Sequence, residues 1–145
     1  MIELNYGDIA LDKSLHTHLL ATVEKHAIPD NAAHIVLNCR QMDYYRAKQG
    51  LHPIEVQLKR ESLSSAWTVV FFASFSYPDE NATSVEPELY FHLTNRWCYQ
   101  PDTGSADLSH PEVQELFSVW MKAFARHLSL NAFDDIQLSM VGTFN

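Results

Sequence analysis

Apolar residues recur every four positions at Leu15, Leu19, Val23 and Ala27, which marks one buried face of a helix. Asp12 or Ser14 is placed to open that helix. Pro29-Asp30-Asn31 ends it, because proline has no N–H to continue the ladder. From His34 the period changes to two. Ile35, Leu37 and Cys39 alternate with Val36, Asn38 and Arg40, predicting a strand. The polar stretch from Gln41 to His52 carries Tyr44 and Tyr45 and reaches Gly50 near its end; it is expected to be a packed loop with its own aromatic anchor. Ile54, Val56 and Leu58 then alternate with Glu55, Gln57 and Lys59, a strand with one face in the core and one in water. Glu61–Ser65 makes the turn that follows.

Ala66–Tyr77 is the strongest strand signal, rich in valine and aromatic residues and stopped by Pro78-Asp79-Glu80-Asn81. Glu88–Asn95 comes next, with Leu89, Phe91 and Leu93 on one face and Tyr90, His92 and Thr94 on the other. Its alternation can be followed on through Trp97 and Tyr99. Pro101–Asp107 reads as a loop. Ser109 stands three residues before Glu112 in capping-box spacing, with Pro111 in the first turn. Val113, Leu116, Phe117, Trp120, Phe124, His127 and Leu128 form a broad helical stripe. Ile136–Gly142 is a final strand. The order α-β-β-β-β-α-β predicts an α+β fold, residues 1–145 as a single domain. It would be a two-layer sandwich: a mainly antiparallel sheet of about five strands, with two helices on one face.

One feature breaks the one-sided pattern. Strict alternation puts Val69 and Phe71 toward the helices and Val70 and Phe72 on the opposite face, beside Tyr90 and His92. Such a patch is rarely left in water. The Gln41–His52 loop could cover it, or a second copy or another protein, or a small ligand. With a pocket between the 44–52 loop and the sheet, the candidate interaction or ligand face is Val70, Phe72, Tyr90, His92, His52 and Tyr77.

Composition narrows the chemistry. Across 145 residues there are 18 acidic and 10 basic side chains, a formal charge of −8; such a surface repels phosphate backbones and argues against nucleic acid as a partner. Only Cys39 and Cys98 are present, far apart and strand-borne, as expected of buried reduced thiols in a cytoplasmic protein. The N-terminus does not read as a signal peptide, and Ala66–Phe75 is too short to span a bilayer as a helix. No membrane role is expected. Four isolated glycines supply neither a G-x-G-x-x-G turn nor a P-loop, and no G-x-S-x-G elbow occurs. Of eight histidines, His16 and His18 point in nearly opposite directions on a helix, while His18 and His26 are about 12 Å apart along its axis. No metal or other cofactor is expected. His52 and Glu55 fall on opposite faces of an extended chain, which favours a loop-anchoring histidine and a solvent-facing glutamate over an acid–base couple. No catalytic residue is assigned.

Gly50-Leu51-His52-Pro53-Ile54-Glu55-Val56, Phe75-Ser76-Tyr77, and Leu116-Phe117-Ser118-Val119-Trp120 with Phe124 together resemble the bacterial domain-of-unknown-function family 2787, from about Val36 to Val141. The resemblance implies a small bacterial cytoplasmic protein and carries no catalytic or binding residue with it. The expectation is therefore a non-enzymatic protein that acts through protein contacts or self-association. The competing reading is a small-molecule binder or enzyme.

Overall fold

A computed structural model describes residues 1–144. The elements are β1 (Asn5–Tyr6), β2 (Ile9–Ala10), α1 (Lys13–Glu24), β3 (Ala32–Arg40), α2 (Met42–Ala47), β4 (Ile54–Lys59), β5 (Thr68–Ser76), β6 (Glu86–His92), β7 (Trp97–Gln100), β8 (Gly104–Asp107), α3 (Pro111–Ser129) and β9 (Asp135–Thr143). The Asp12 carboxylate accepts from the Leu15 N–H at 3.1 Å and opens α1. That helix ends at Glu24, before Ala27: the Lys25 and His26 N–H groups donate three residues back, to the Thr22 and Val23 carbonyls, and tighten the last turn. At the start of α3 it is His110, not Ser109, that caps: its side chain accepts from the Glu112 N–H, with Pro111 in the first turn.

Seven strands form the main sheet in the order β8-β7-β6-β5-β4-β3-β9, and every neighbouring pair is antiparallel. Strands β3 to β8 run as a meander. Helix α3 then crosses back, and β9 pairs with β3 at the far edge. The expected five strands become seven for two reasons. The chain does not run on from β6 but turns through Leu93–Arg96, with Arg96 in the left-handed region at φ 60°. The segment expected as a loop at Pro101–Asp107 folds back as β8. A separate two-stranded hairpin, β1–β2, precedes α1. The expected loop after β3 contains the short helix α2, whose Met42 N–H donates to Asp134 at 2.9 Å and which ends at Lys48, φ 55°.

Helices α1 and α3 share one sheet face. Leu15, Leu19 and Val23 of α1 and Phe117, Met121, Phe124 and Leu128 of α3 close over Ile35, Leu37, Val56, Leu58, Val69, Phe72 and Phe91. The Phe72 ring sits 5.4 Å from Trp120, 6.0 Å from Phe117 and 6.3 Å from Phe124, centroid to centroid. This corrects the expected facing of the long strand. Leu58 pairs with Val69 and Gln57 with Phe71, so Val70 is an extra residue in β5 with no partner in β4. A bulge of this kind inverts the alternation beyond it. Val69 and Phe72 therefore both face the helices, and Phe71 takes the open face. Val70, half-exposed, uses its carbonyl to accept from the Leu93 N–H at 2.9 Å.

The bulge has its own support. The Val69 N–H donates to the Tyr6 hydroxyl at 3.0 Å, and that hydroxyl donates to the Glu3 carbonyl at 3.0 Å. Burial raises Tyr6 to about 12, with the Glu3 charge adding to it. Tyr6→Phe leaves the Val69 amide unpaired and is expected to cost about 1–3 kcal/mol in urea unfolding. Unchanged stability would mean that this hydroxyl does not sustain the bulge.

Candidate functional site

The open sheet face carries a ladder of rings. Phe71 on β5, His92 on β6 and Trp97 on β7 are direct cross-strand partners. Tyr90, opposite the small Ala73, leans diagonally between them. Its ring lies 4.6 Å from Phe71 and 4.9 Å from Trp97, the latter pair only 7° from parallel. His92 lies 5.3 Å from Trp97. Tyr90, His92 and Trp97 are half-exposed, whereas Phe71 is buried beneath its neighbours. Burial raises the Tyr90 hydroxyl above its ordinary value, with the Glu55 charge adding to it. Burial lowers the His92 imidazole, and Lys59 lowers it further. His92 Nδ1 accepts from the Asn95 N–H at 3.0 Å, which places the proton of the neutral ring on Nε2.

A second feature lies on the helix side. A cleft of about 330 Å³ opens between the Gly50–His52 segment, the ends of β4 to β6, and α3, lined in part by Ile54, Leu89, Trp120, Phe124, His127 and Phe133. His52 Nδ1 lies 2.9 and 3.0 Å from the two carboxylate oxygens of Glu88, and the Ser74 hydroxyl donates to the same carboxylate at 3.2 Å. Glu88 reaches this position through a second bulge: Ser74 pairs with Leu89 and Phe75 with Pro87, leaving Glu88 unpaired in β6. The Gln41 amide ties the cleft mouth together, accepting from the Leu51 N–H at 2.8 Å and donating to the Ala132 carbonyl at 3.1 Å. Tyr44 backs His52 at 4.8 Å and Tyr77 at 5.4 Å, and its hydroxyl accepts from the Tyr77 N–H at 3.1 Å.

Serine, histidine and a carboxylate meet here, but in an order unsuited to acyl transfer. A nucleophilic serine needs the histidine as its hydrogen-bonded base, with the acid behind it. Here the carboxylate stands between the two. Cys39 and Cys98 are buried free thiols. Burial pushes Cys39 up to about 12, which disfavours the thiolate. Among the described residues no cluster of histidine, cysteine and carboxylate side chains could hold a metal ion.

The six candidate residues thus fall into four places. Tyr90 and His92 lie on the open face. His52 and Tyr77 meet through Tyr44 at the opposite end of the sheet. Phe72 is in the core, and Val70 is the bulge residue. The Tyr44–His52 segment packs at the end of the sheet and does not cover the ring ladder. Sequence reasoning missed Phe71 and Trp97 on the open face. It also missed Glu88, Ser74 and Trp120 at the cleft. His52 pairs with Glu88 rather than with Glu55.

The chain belongs to the family described as protein of unknown function (DUF2787), whose model matches residues 13–139. Comparison with curated proteins gives no match. Among solved structures, the hypothetical protein VC0508 from the VSP-II pathogenicity island of Vibrio cholerae is similar with a TM-score of 0.83 and 18% identity, covering 97% of this chain and 100% of that one. The conserved hypothetical protein VC1805 from pathogenicity island VPI-2 of Vibrio cholerae O1 biovar eltor is similar with a TM-score of 0.77 and 23% identity, covering 96% and 100%. VC1805 is described as sharing structural homology with the human P32 protein. At these identities the likeness establishes the fold. No helix among the described residues is long and apolar enough to cross a membrane.

Proposed function

We propose that the protein is a non-enzymatic cytoplasmic protein that acts through protein contacts, with the ring-bearing sheet face as its contact surface and a second copy of itself as partner. The observation that carries this reading is the ladder of Phe71, Tyr90, His92 and Trp97, whose Tyr90, His92 and Trp97 rings stay partly open to solvent. Aromatic residues are enriched at protein interfaces because they offer large, stiff contact area. Glu55 and Lys59 border the rings on β4 with opposite signs, so the face can meet itself without local repulsion despite the chain's net charge. The buried free thiols Cys39 and Cys98 agree with a reducing compartment.

Light scattering across a concentration series tests the reading. A dimer is expected at high protein concentration, and Tyr90→Lys is expected to give a monomer with an unchanged far-ultraviolet circular dichroism spectrum. His52→Ala, at the other end of the sheet, leaves the dimer intact. A wild-type chain that stays monomeric at millimolar concentration overturns the proposal.

A further inference from the structure

The helix-side cleft is separate from the ring ladder and has a chemistry of its own. Its walls are apolar and partly aromatic, with Trp120, Phe124 and Phe133 on one side and Leu89 on the other. Its single carboxylate among the described lining residues is Glu88. That group accepts from Ser74 and lies within hydrogen-bond distance of His52, and a carboxylate's two oxygens offer about four acceptor sites. Burial holds the His127 imidazole below its ordinary 6.5, and Arg126 lowers it further, which favours a neutral ring on that wall. No lysine or arginine is among the described residues lining the cleft. The adjoining depression, which shares Glu88, adds Glu86 and Asp102 and again no basic side chain.

We propose that this cleft binds a small organic ammonium ion with an apolar or aromatic body. The carboxylate supplies a charge-assisted acceptor for the ammonium group. The aromatic walls supply apolar contact and attract a cation to their ring faces. An anion would meet Glu88, Glu86 and Asp102 with no lysine or arginine among the described lining residues to offset them, and a neutral ligand would take the apolar contacts while forgoing the charge. The cleft volume of about 330 Å³ is at the small end of ligand pockets, which run from roughly 300 to 1,000 Å³, and suits one ring with a short side chain. The net charge of −8 favours cation approach generally.

Isothermal calorimetry with three probes of one shape tests the assignment: phenethylammonium, phenethyl alcohol and phenylacetate. The ammonium ion is expected to bind saturably, about tenfold or more tightly than the alcohol, with phenylacetate weakest. Glu88→Gln is expected to bring the ammonium ion and the alcohol to equal affinity. Ala123→Trp, at an exposed position on the rim, is expected to remove binding of both while the circular dichroism spectrum stays native. Three results overturn the proposal: no saturable binding of phenethylammonium, equal or tighter binding of phenylacetate, or an undiminished ammonium preference in folded Glu88→Gln. Should Glu88→Gln fail to fold, full affinity in Ala123→Trp overturns it alone.

Discussion

Replacing Phe72 by alanine is expected to destabilise the protein by about 3–5 kcal/mol, the range for deleting a buried phenylalanine ring. Phe72 is fully buried and its ring contacts Phe117, Trp120 and Phe124 of α3. The truncation leaves a void bounded by a strand and a helix that are both fixed by other core contacts, so neither can close it cheaply. Urea unfolding reads the effect directly as a lower midpoint at an unchanged slope. The experiment also decides the facing of β5. Had the alternation run unbroken, Phe72 would stand on the open face and its loss would cost little. Phe71→Ala, which removes a ring from the ladder, is expected to cost less than Phe72→Ala, because Tyr90 and Trp97 can relax toward solvent. The reverse ranking would show that β5 has no bulge at Val70.

The second large effect is expected at Gly50. Its φ of +110° is a conformation that side-chain-bearing residues rarely adopt. A Cβ added there would collide with the Gln41 side-chain oxygen. Gly50→Ala therefore imposes backbone strain of about 1–3 kcal/mol and displaces the amide that holds Leu51 and Ala132 together. With the Leu51 N–H losing its acceptor, the total is expected at roughly 2–4 kcal/mol. The site makes a further outcome readable. Gln41 positions the Leu51–His52 wall of the cleft, so Gly50→Ala is also expected to weaken phenethylammonium binding. Gln41→Ala at native Gly50 separates the two causes: it removes the bridge without the strain, and its cost should be the smaller. Equal stability of Gly50→Ala and wild type would mean that the turn can relax into an ordinary conformation.

Long periodic segments were legible from sequence because burial on one face writes a period into the residues themselves. The four-residue spacing from Leu15 to Val23, the alternation of β4 and the broad stripe of α3 each needed only local information. What was not legible depended on partners far along the chain. The bulge at Val70 is supported by Tyr6, 63 residues away from Val69, and nothing in the run Val69-Val70-Phe71-Phe72 announces it. Helix α2 spans six residues, too few to form on propensity alone, and its first amide is held by Asp134, 92 residues away. Strand β8, Gly104-Ser105-Ala106-Asp107, has four residues of turn-like composition, so pairing with β7 rather than preference makes it a strand. The candidate sites follow the same division. Tyr90 and His92 stood out because aromatic residues occupied a non-core face. Glu88 carries no site assignment as the first residue of the expected strand Glu88–Asn95; a bulge in β6 aims it at His52 and Ser74.

By itself the sequence determined the α+β class, the amphipathic helices, the strand-rich middle of the chain and membership in a family of unknown function. The first three follow from composition and periodicity, which are summed over many residues and tolerate local error; the family shows instead in particular motifs, such as Gly50–Val56 and Leu116–Trp120. Only the tertiary structure decided the seven-strand order, which rings face out, and where His52 and Glu88 meet. A single extra residue in a strand exchanges its two faces. Whether that residue is accommodated is decided by hydrogen bonds, such as the one from Val69 to Tyr6, that exist only once the chain has folded.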